Sequence, residues 1–197
     1  MSGPHRNLIE PARRPSETIP DARTSSASHI ASAPIIVSAL FGARDHTWLT
    51  ALRTEHYPAE RNRLDAHLTL FHHLPPSVAP ELRSRLAQAA RTRVPEARIT
   101  GIMDLGRGTA LRVSSPVLED IREMLADAFH SLLTPQDCAP WRPHVTIQNK
   151  VEPMAAHTLQ RSLSAGFKPR SLAISGLAAY YYRDGPWEVA SRHPFRG

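Results

Sequence analysis

Cysteine is almost missing from this chain: Cys138 stands alone among 197 residues. That excludes an internal disulfide framework and a cysteine-rich zinc site, and fits a reducing cytoplasm. Lysine is nearly as scarce, with only Lys150 and Lys168 beside 22 arginines, and neither ends a Gly-x-x-x-x-Gly-Lys phosphate loop. Aromatic residues make up only 6%. Apolar runs are short, since residues 33–41 fall well below the roughly 18 needed to span a membrane and contain Pro34. No apolar signal core follows Arg13-Arg14, so neither a secretory nor a twin-arginine address is expected, and the chain is expected to be cytoplasmic.

What is present is a positive balance, with a formal net charge of +6 that favours phosphate-bearing partners, and a hydrophobic share of 41%, enough for a core. Residues 1–33 are rich in Pro, Ser, Ala and Arg without periodic apolar positions, and are expected to form a disordered tail. At this length residues 34–197 suit one domain or two intimately joined lobes, and the chain is expected to act as a monomer. Ile35 to Phe41 reads as a buried strand, and a helix through Trp48, Leu49 and Leu52 stops before Pro58. Further helices are expected from an N-cap at Ser77 to before Pro95, over residues 116–133, and from Pro153 to Gly166. Gly106-Arg107-Gly108 reads as a hairpin turn, and Arg183-Asp184-Gly185-Pro186 as a second.

Two strings, His67-Leu68-Thr69 and His144-Val145-Thr146, repeat one pattern 77 positions apart. With 11 His in the chain, chance alone gives about 0.7 matches to His-x-Thr, so one copy would mean nothing. Context separates these two, because alternate apolar residues place both in strands, over residues 66–71 and 143–149. In a strand the His and Thr of each string share a face while Leu68 and Val145 point to the core. The two halves also share an element order: strand, helix, His-x-Thr strand, helix, strand. A duplicated architecture around a central cleft is expected.

Two imidazoles facing one cleft suit a reaction that removes a proton at one end of a bond and supplies one at the other. Phosphodiester cleavage is such a reaction, with the Thr69 and Thr146 hydroxyls holding the non-bridging oxygens. With their apolar flanks, His67-Leu68-Thr69-Leu70 and His144-Val145-Thr146-Ile147 resemble the paired motifs of the 2H phosphoesterases, and within them the 2′-5′ RNA ligase-like proteins. The resemblance covers residues 34–195. It implies an α+β, bilobal, pseudo-twofold fold in which two antiparallel sheets line a central cleft with helices outside. It also implies a cofactor-free, metal-independent phosphodiesterase acting on 2′,3′-cyclic phosphates or 2′-5′ linkages of RNA ends, with His67 and His144 as the acid/base pair and Thr69 and Thr146 binding phosphate. His67 is assigned as acid and His144 as base, although pseudosymmetry allows the reverse. Ligation would be the reverse reaction without ATP, since neither lysine stands in the Lys-x-Asp-Gly string of an ATP-dependent ligase.

Strand alternation puts Phe71 on the face of His67 and Gln148 on that of His144, making a stacking ring and an amide candidate neighbours of a nucleotide. Arg142, Tyr182 and Arg183 are further candidates for gripping bases and phosphates. His72-His73 reads as structural or surface, because adjacent strand residues face opposite ways and no further metal ligand stands at a helpful spacing. Two other functions fit less well: an RNA-end binding module without turnover, and a metal-dependent hydrolase.

Overall fold

A computed structural model describes residues 33–183 and 185–196. Residues 1–32 of the tail expected over residues 1–33 lie outside the described residues, as does Asp184 of the second turn, while Ala33, the last residue of that expected tail, is buried. Seven strands, five α-helices and three short 3₁₀ turns follow one another among the described residues. The first repeat is β1 (Ile35–Phe41), α1 (Ala43–His56), β2 (Leu68–Leu74), α2 (Ala79–Ala89) and β3 (Glu96–Asp104). The second is β4 (Gly108–Ser114), α3 (Pro116–Ala128), the single-turn α4 (Pro135–Cys138), β5 (His144–Asn149), α5 (Pro153–Ala165) and β6 (Arg170–Tyr181), with β7 (Glu188–Pro194) closing the chain. The repeated order read from the sequence is therefore the order of the fold.

Local chemistry accounts for the element ends. Ser115 caps α3 by accepting from the Leu118 N–H, and Pro116 follows at the first helical position, where it forfeits no hydrogen bond. Leu118, Ile121 and Leu125 then form the buried face of α3. This helix ends at Ala128 and continues as a 3₁₀ turn, His130–Leu132, so the single helix expected over residues 116–133 is interrupted. Ser77 is not an N-cap: it lies inside the 3₁₀ turn Pro76–Val78, and Val78 stands at the start of α2. Between β3 and β4, Gly106 has φ of 75° and donates its N–H to the Asp104 carboxylate at 2.7 Å, closing the expected hairpin.

All strand pairs are antiparallel, in the order β2-β1-β6-β3-β4-β5. The twelve-residue β6 links the lobes, pairing with β3 through its first residues and with β1 and β7 through the remainder. The two expected sheets are thus one continuous hydrogen-bonded surface. The two ends of that order are the edge strands β2 and β5, at which the two motifs lie, while β7 forms a further edge beside β6. The core beneath them is aliphatic and aromatic, with Leu49, Leu68, Leu70, Phe71, Leu111, Leu125, Phe129, Val145 and Ile147 at or below 3% exposure.

Candidate active site

Each motif enters its edge strand in the same way. The Nδ1–H of His67 donates to the Asp65 carbonyl at 2.8 Å, and that of His144 donates to the Arg142 carbonyl at 2.6 Å. A carbonyl can only accept, so both rings carry hydrogen on Nδ1 and leave Nε2 as the free nitrogen. Asp65 and Arg142 are themselves 77 positions apart. His67, expected inside a strand over residues 66–71, stands just ahead of β2, one residue outside the strand observed.

The strands then bulge at equivalent places. Ser38 pairs with Thr69 and Val37 with Phe71, leaving Leu70 extra; Ala110 pairs with Thr146 and Thr109 with Gln148, leaving Ile147 extra. A bulge breaks the two-residue alternation, and so overturns the placement of Phe71 and Gln148 beside their histidines. Phe71 is fully buried with the Arg122 guanidinium 5.0 Å from its ring centre, and Gln148 is buried and accepts from the Thr109 hydroxyl at 3.3 Å. His72 takes the cleft-facing place instead.

The edges that would otherwise present open backbone are strapped across the cleft. From the first repeat, the Arg53 guanidinium donates to the Thr146 carbonyl at 2.7 Å, to the Asn62 side chain at 2.9 Å and to the Leu64 carbonyl at 3.1 Å. From the second, the Trp141 indole donates to the Thr69 carbonyl at 3.0 Å, and Arg122 donates to the carbonyls of Leu70 at 3.3 Å and Asp137 at 2.6 Å. The Asp137 carboxylate completes the strap by accepting the backbone N–H groups of His72 and His73 and the His72 Nδ1–H, all near 3 Å. Burial would raise the pKa of Asp137, but these donors outweigh it and hold the carboxyl below its ordinary value.

Together these elements enclose a cavity of about 270 Å³ lined by His67, Thr69, His144 and Thr146, together with His72, Trp141, Arg142 and Trp187. The four motif residues therefore meet in one space, and Arg142 lies exposed at its rim. Tyr182 is exposed and Arg183 pairs with Glu188 at 3.1 Å; neither lines the cavity. Trp187 lies 4.6 Å from His67 between ring centres. Burial, then the nearby Arg53 charge, lowers the His67 pKa from 6.5 to about 4, against the opposing pull of the Asp65 carbonyl. An imidazole that is neutral near pH 7 and exposes Nε2 can accept a proton, while arginines and hydroxyls around it favour an anion. Among the described residues no three His, Cys, Asp or Glu side chains converge as a metal ligand set.

Four contributors were not among the sequence candidates: His72, Asp137, Arg53 and Arg122. Thr134-x-x-Asp137 was a readable helix-start signal, and Thr134 does accept from the Asp137 N–H at 3.4 Å. Nothing local announces that this carboxylate reaches β2.

Similar proteins share the fold. TT0787 of Thermus thermophilus superposes with a TM-score of 0.55 at 16% identity, covering 83% of this chain and 98% of its own. Escherichia coli LigT, solved in complex with 3′-AMP, gives 0.53 at 18% identity, covering 84% and 99%. A further structure, described as a phosphoesterase, gives 0.54 at 18% identity, covering 84% and 99%. No curated protein matches the chain. The sequence pattern of the 2′-5′ RNA ligase superfamily matches residues 42–186, a segment that includes both histidine motifs and most of the fold. The chain belongs to the 2′-5′ RNA ligase superfamily, among the 2H phosphoesterases.

Proposed function

We propose that the protein opens 2′,3′-cyclic phosphates at RNA or nucleotide ends, leaving a 2′-phosphate, by paired histidine acid/base catalysis without a metal. The observation that carries this reading is the matched locking of both Nδ1 atoms, which leaves one free Nε2 on each imidazole in a single cavity. The relative LigT has been solved with 3′-AMP and with phosphate, ligands of the same chemistry.

Water enters beside His67, whose Nε2 takes its proton as the water oxygen bonds to phosphorus. The P–O3′ bond breaks, and His144 Nε2–H protonates the departing oxygen. Thr69 and Thr146 donate to the non-bridging oxygens as charge builds on them. This reverses the assignment expected from the sequence, for a quantitative reason: a group with a pKa of about 4 is protonated in only about one molecule in 1,000 at pH 7, a poor state for an acid and the required one for a base. A ribose hydroxyl replacing the water would give a 2′-5′ linkage, so ATP-independent ligation is the same chemistry run with another nucleophile.

The test is hydrolysis of the four 2′,3′-cyclic nucleotides in EDTA, with the product phosphate located. His67→Ala and His144→Ala should each lower kcat by about 10²-fold to 10⁴-fold with binding retained. Unchanged turnover in both variants would sink the acid/base assignment, and loss of activity in EDTA would favour a metal-dependent hydrolase.

A further inference from the structure

Behind the His67–Trp187 pair lies a second cavity of about 440 Å³, which shares both residues with the first as a common wall. Its volume falls within the range of small-molecule sites, about 300–1,000 Å³. Strand β1 runs beneath both cavities, offering Ile36 to the first and Ser38 to the second. Ser38 is 2% exposed, and its hydroxyl has no hydrogen-bond partner among the described residues. A buried hydroxyl left unpaired at a cavity wall is matched to a polar atom that arrives with a ligand.

The remaining walls define that ligand. Trp187 and Tyr180 stand 5.3 Å apart between ring centres, giving an aromatic corner, and the Arg192 guanidinium lies beside the Tyr180 phenol. Arg63 adds a second exposed guanidinium, and the Asp65 carboxylate can accept from an amino group. Flat rings stack on such corners, and the arginines suit a flanking phosphate. We propose that this second cavity binds the nucleoside on the nucleophile side of the reaction, the partner whose 5′-hydroxyl takes the place of water. The inference rests on the function proposed above, and adds a second substrate site to it.

The step balances without any further reactant. His67, lining both cavities, takes the 5′-hydroxyl proton; the new O–P bond forms as P–O3′ breaks; His144 protonates O3′, and the product is a 2′-5′ phosphodiester. In the opposite direction a 2′-5′ dinucleotide is cleaved to a cyclic phosphate and a free nucleoside. Only the dinucleotide fills both cavities, whereas a cyclic mononucleotide fills the first.

The test compares cleavage of 2′-5′-linked diadenosine monophosphate with hydrolysis of 2′,3′-cyclic AMP in wild-type protein, Ser38→Val and Arg192→Ala. KM for the dinucleotide should rise about tenfold in the variants while cyclic AMP kinetics stay unchanged. Arg192 is exposed, so its variant keeps the test open if Ser38→Val fails to fold. Equal effects on both substrates, or none on the dinucleotide, would overturn the second site. Adenosine binding, followed by saturation-transfer NMR, separates the two readings: binding that weakens in the variants supports the site even if cyclic AMP is not hydrolysed, and binding indifferent to both variants rejects it.

Discussion

Burial of the His67 imidazole carries a pH dependence into stability as well as into turnover. Its pKa is about 4 when folded, against 6.5 ordinarily, so between these values the unfolded chain binds more protons than the folded one. Stability therefore carries no penalty from this group above about pH 6.5, and falls progressively as pH drops from there towards 4. The thermal midpoint of the wild type should fall more steeply over that window than that of His67→Asn, which cannot be protonated. Parallel curves would remove the depressed pKa, and with it the argument that His67 is the base. Asp137 obeys the ordinary carboxylate sign: its contribution is complete above the unfolded pKa of about 3.9 and disappears as pH falls through the lower folded value. Its side chain is 1% exposed and receives three N–H donors from His72 and His73. Asp137→Asn would turn an amide N–H₂ towards some of these donors, so urea unfolding should show a loss of about 1–3 kcal/mol. A loss under about 0.5 kcal/mol would mean that the strap is dispensable.

At the scale of elements, the two bulges explain both what could be read in the sequence and what could not. Alternation located the inward His and Thr of each motif because the register is regular up to Thr69 and Thr146. It failed one residue later, at Leu70 and Ile147, because an inserted apolar residue keeps the pattern of alternation intact in the sequence while shifting the register. Phe71 and Gln148 were misplaced for that reason, and His72 was missed for the same one. The hairpin behind the second motif offers a direct test of how tightly this geometry is held. Gly108 begins β4 opposite Asn149, and a Cβ added there would overlap the Gln148 carbonyl oxygen and lie 2.8 Å from the Asn149 Cα. Both contacts are backbone, so relief requires β5 itself to shift, with His144 and Thr146 on it. Gly108→Ala should cost about 1–3 kcal/mol of stability and lower kcat for cyclic nucleotides more than it raises KM. Unchanged kcat with lost stability would show that the second motif keeps its position without its neighbour strand.

At the scale of the whole molecule, the repeat was legible because each half buries its apolar face in the same element order. The joining of the lobes through β6 was not, since pairing between Ile174 and Phe41, or Ala173 and Glu96, depends on partners more than 70 residues away. Charge is legible at once, and with a net +6 it bears on how substrates are gathered. Each phosphate neutralised on a single strand contributes a slope of about −0.7 to the logarithmic salt dependence of binding. A cyclic mononucleotide touching the site through one phosphate should then lose about threefold in kcat/KM between 50 and 200 mM NaCl, when binding limits that ratio. An RNA oligonucleotide ending in the same cyclic phosphate, with three phosphates held by the basic surface, should lose about twentyfold. Initial rates at sub-saturating substrate across that salt range measure both slopes. Equal slopes would confine recognition to the cyclic phosphate and leave the arginine-rich surface without a part in RNA binding.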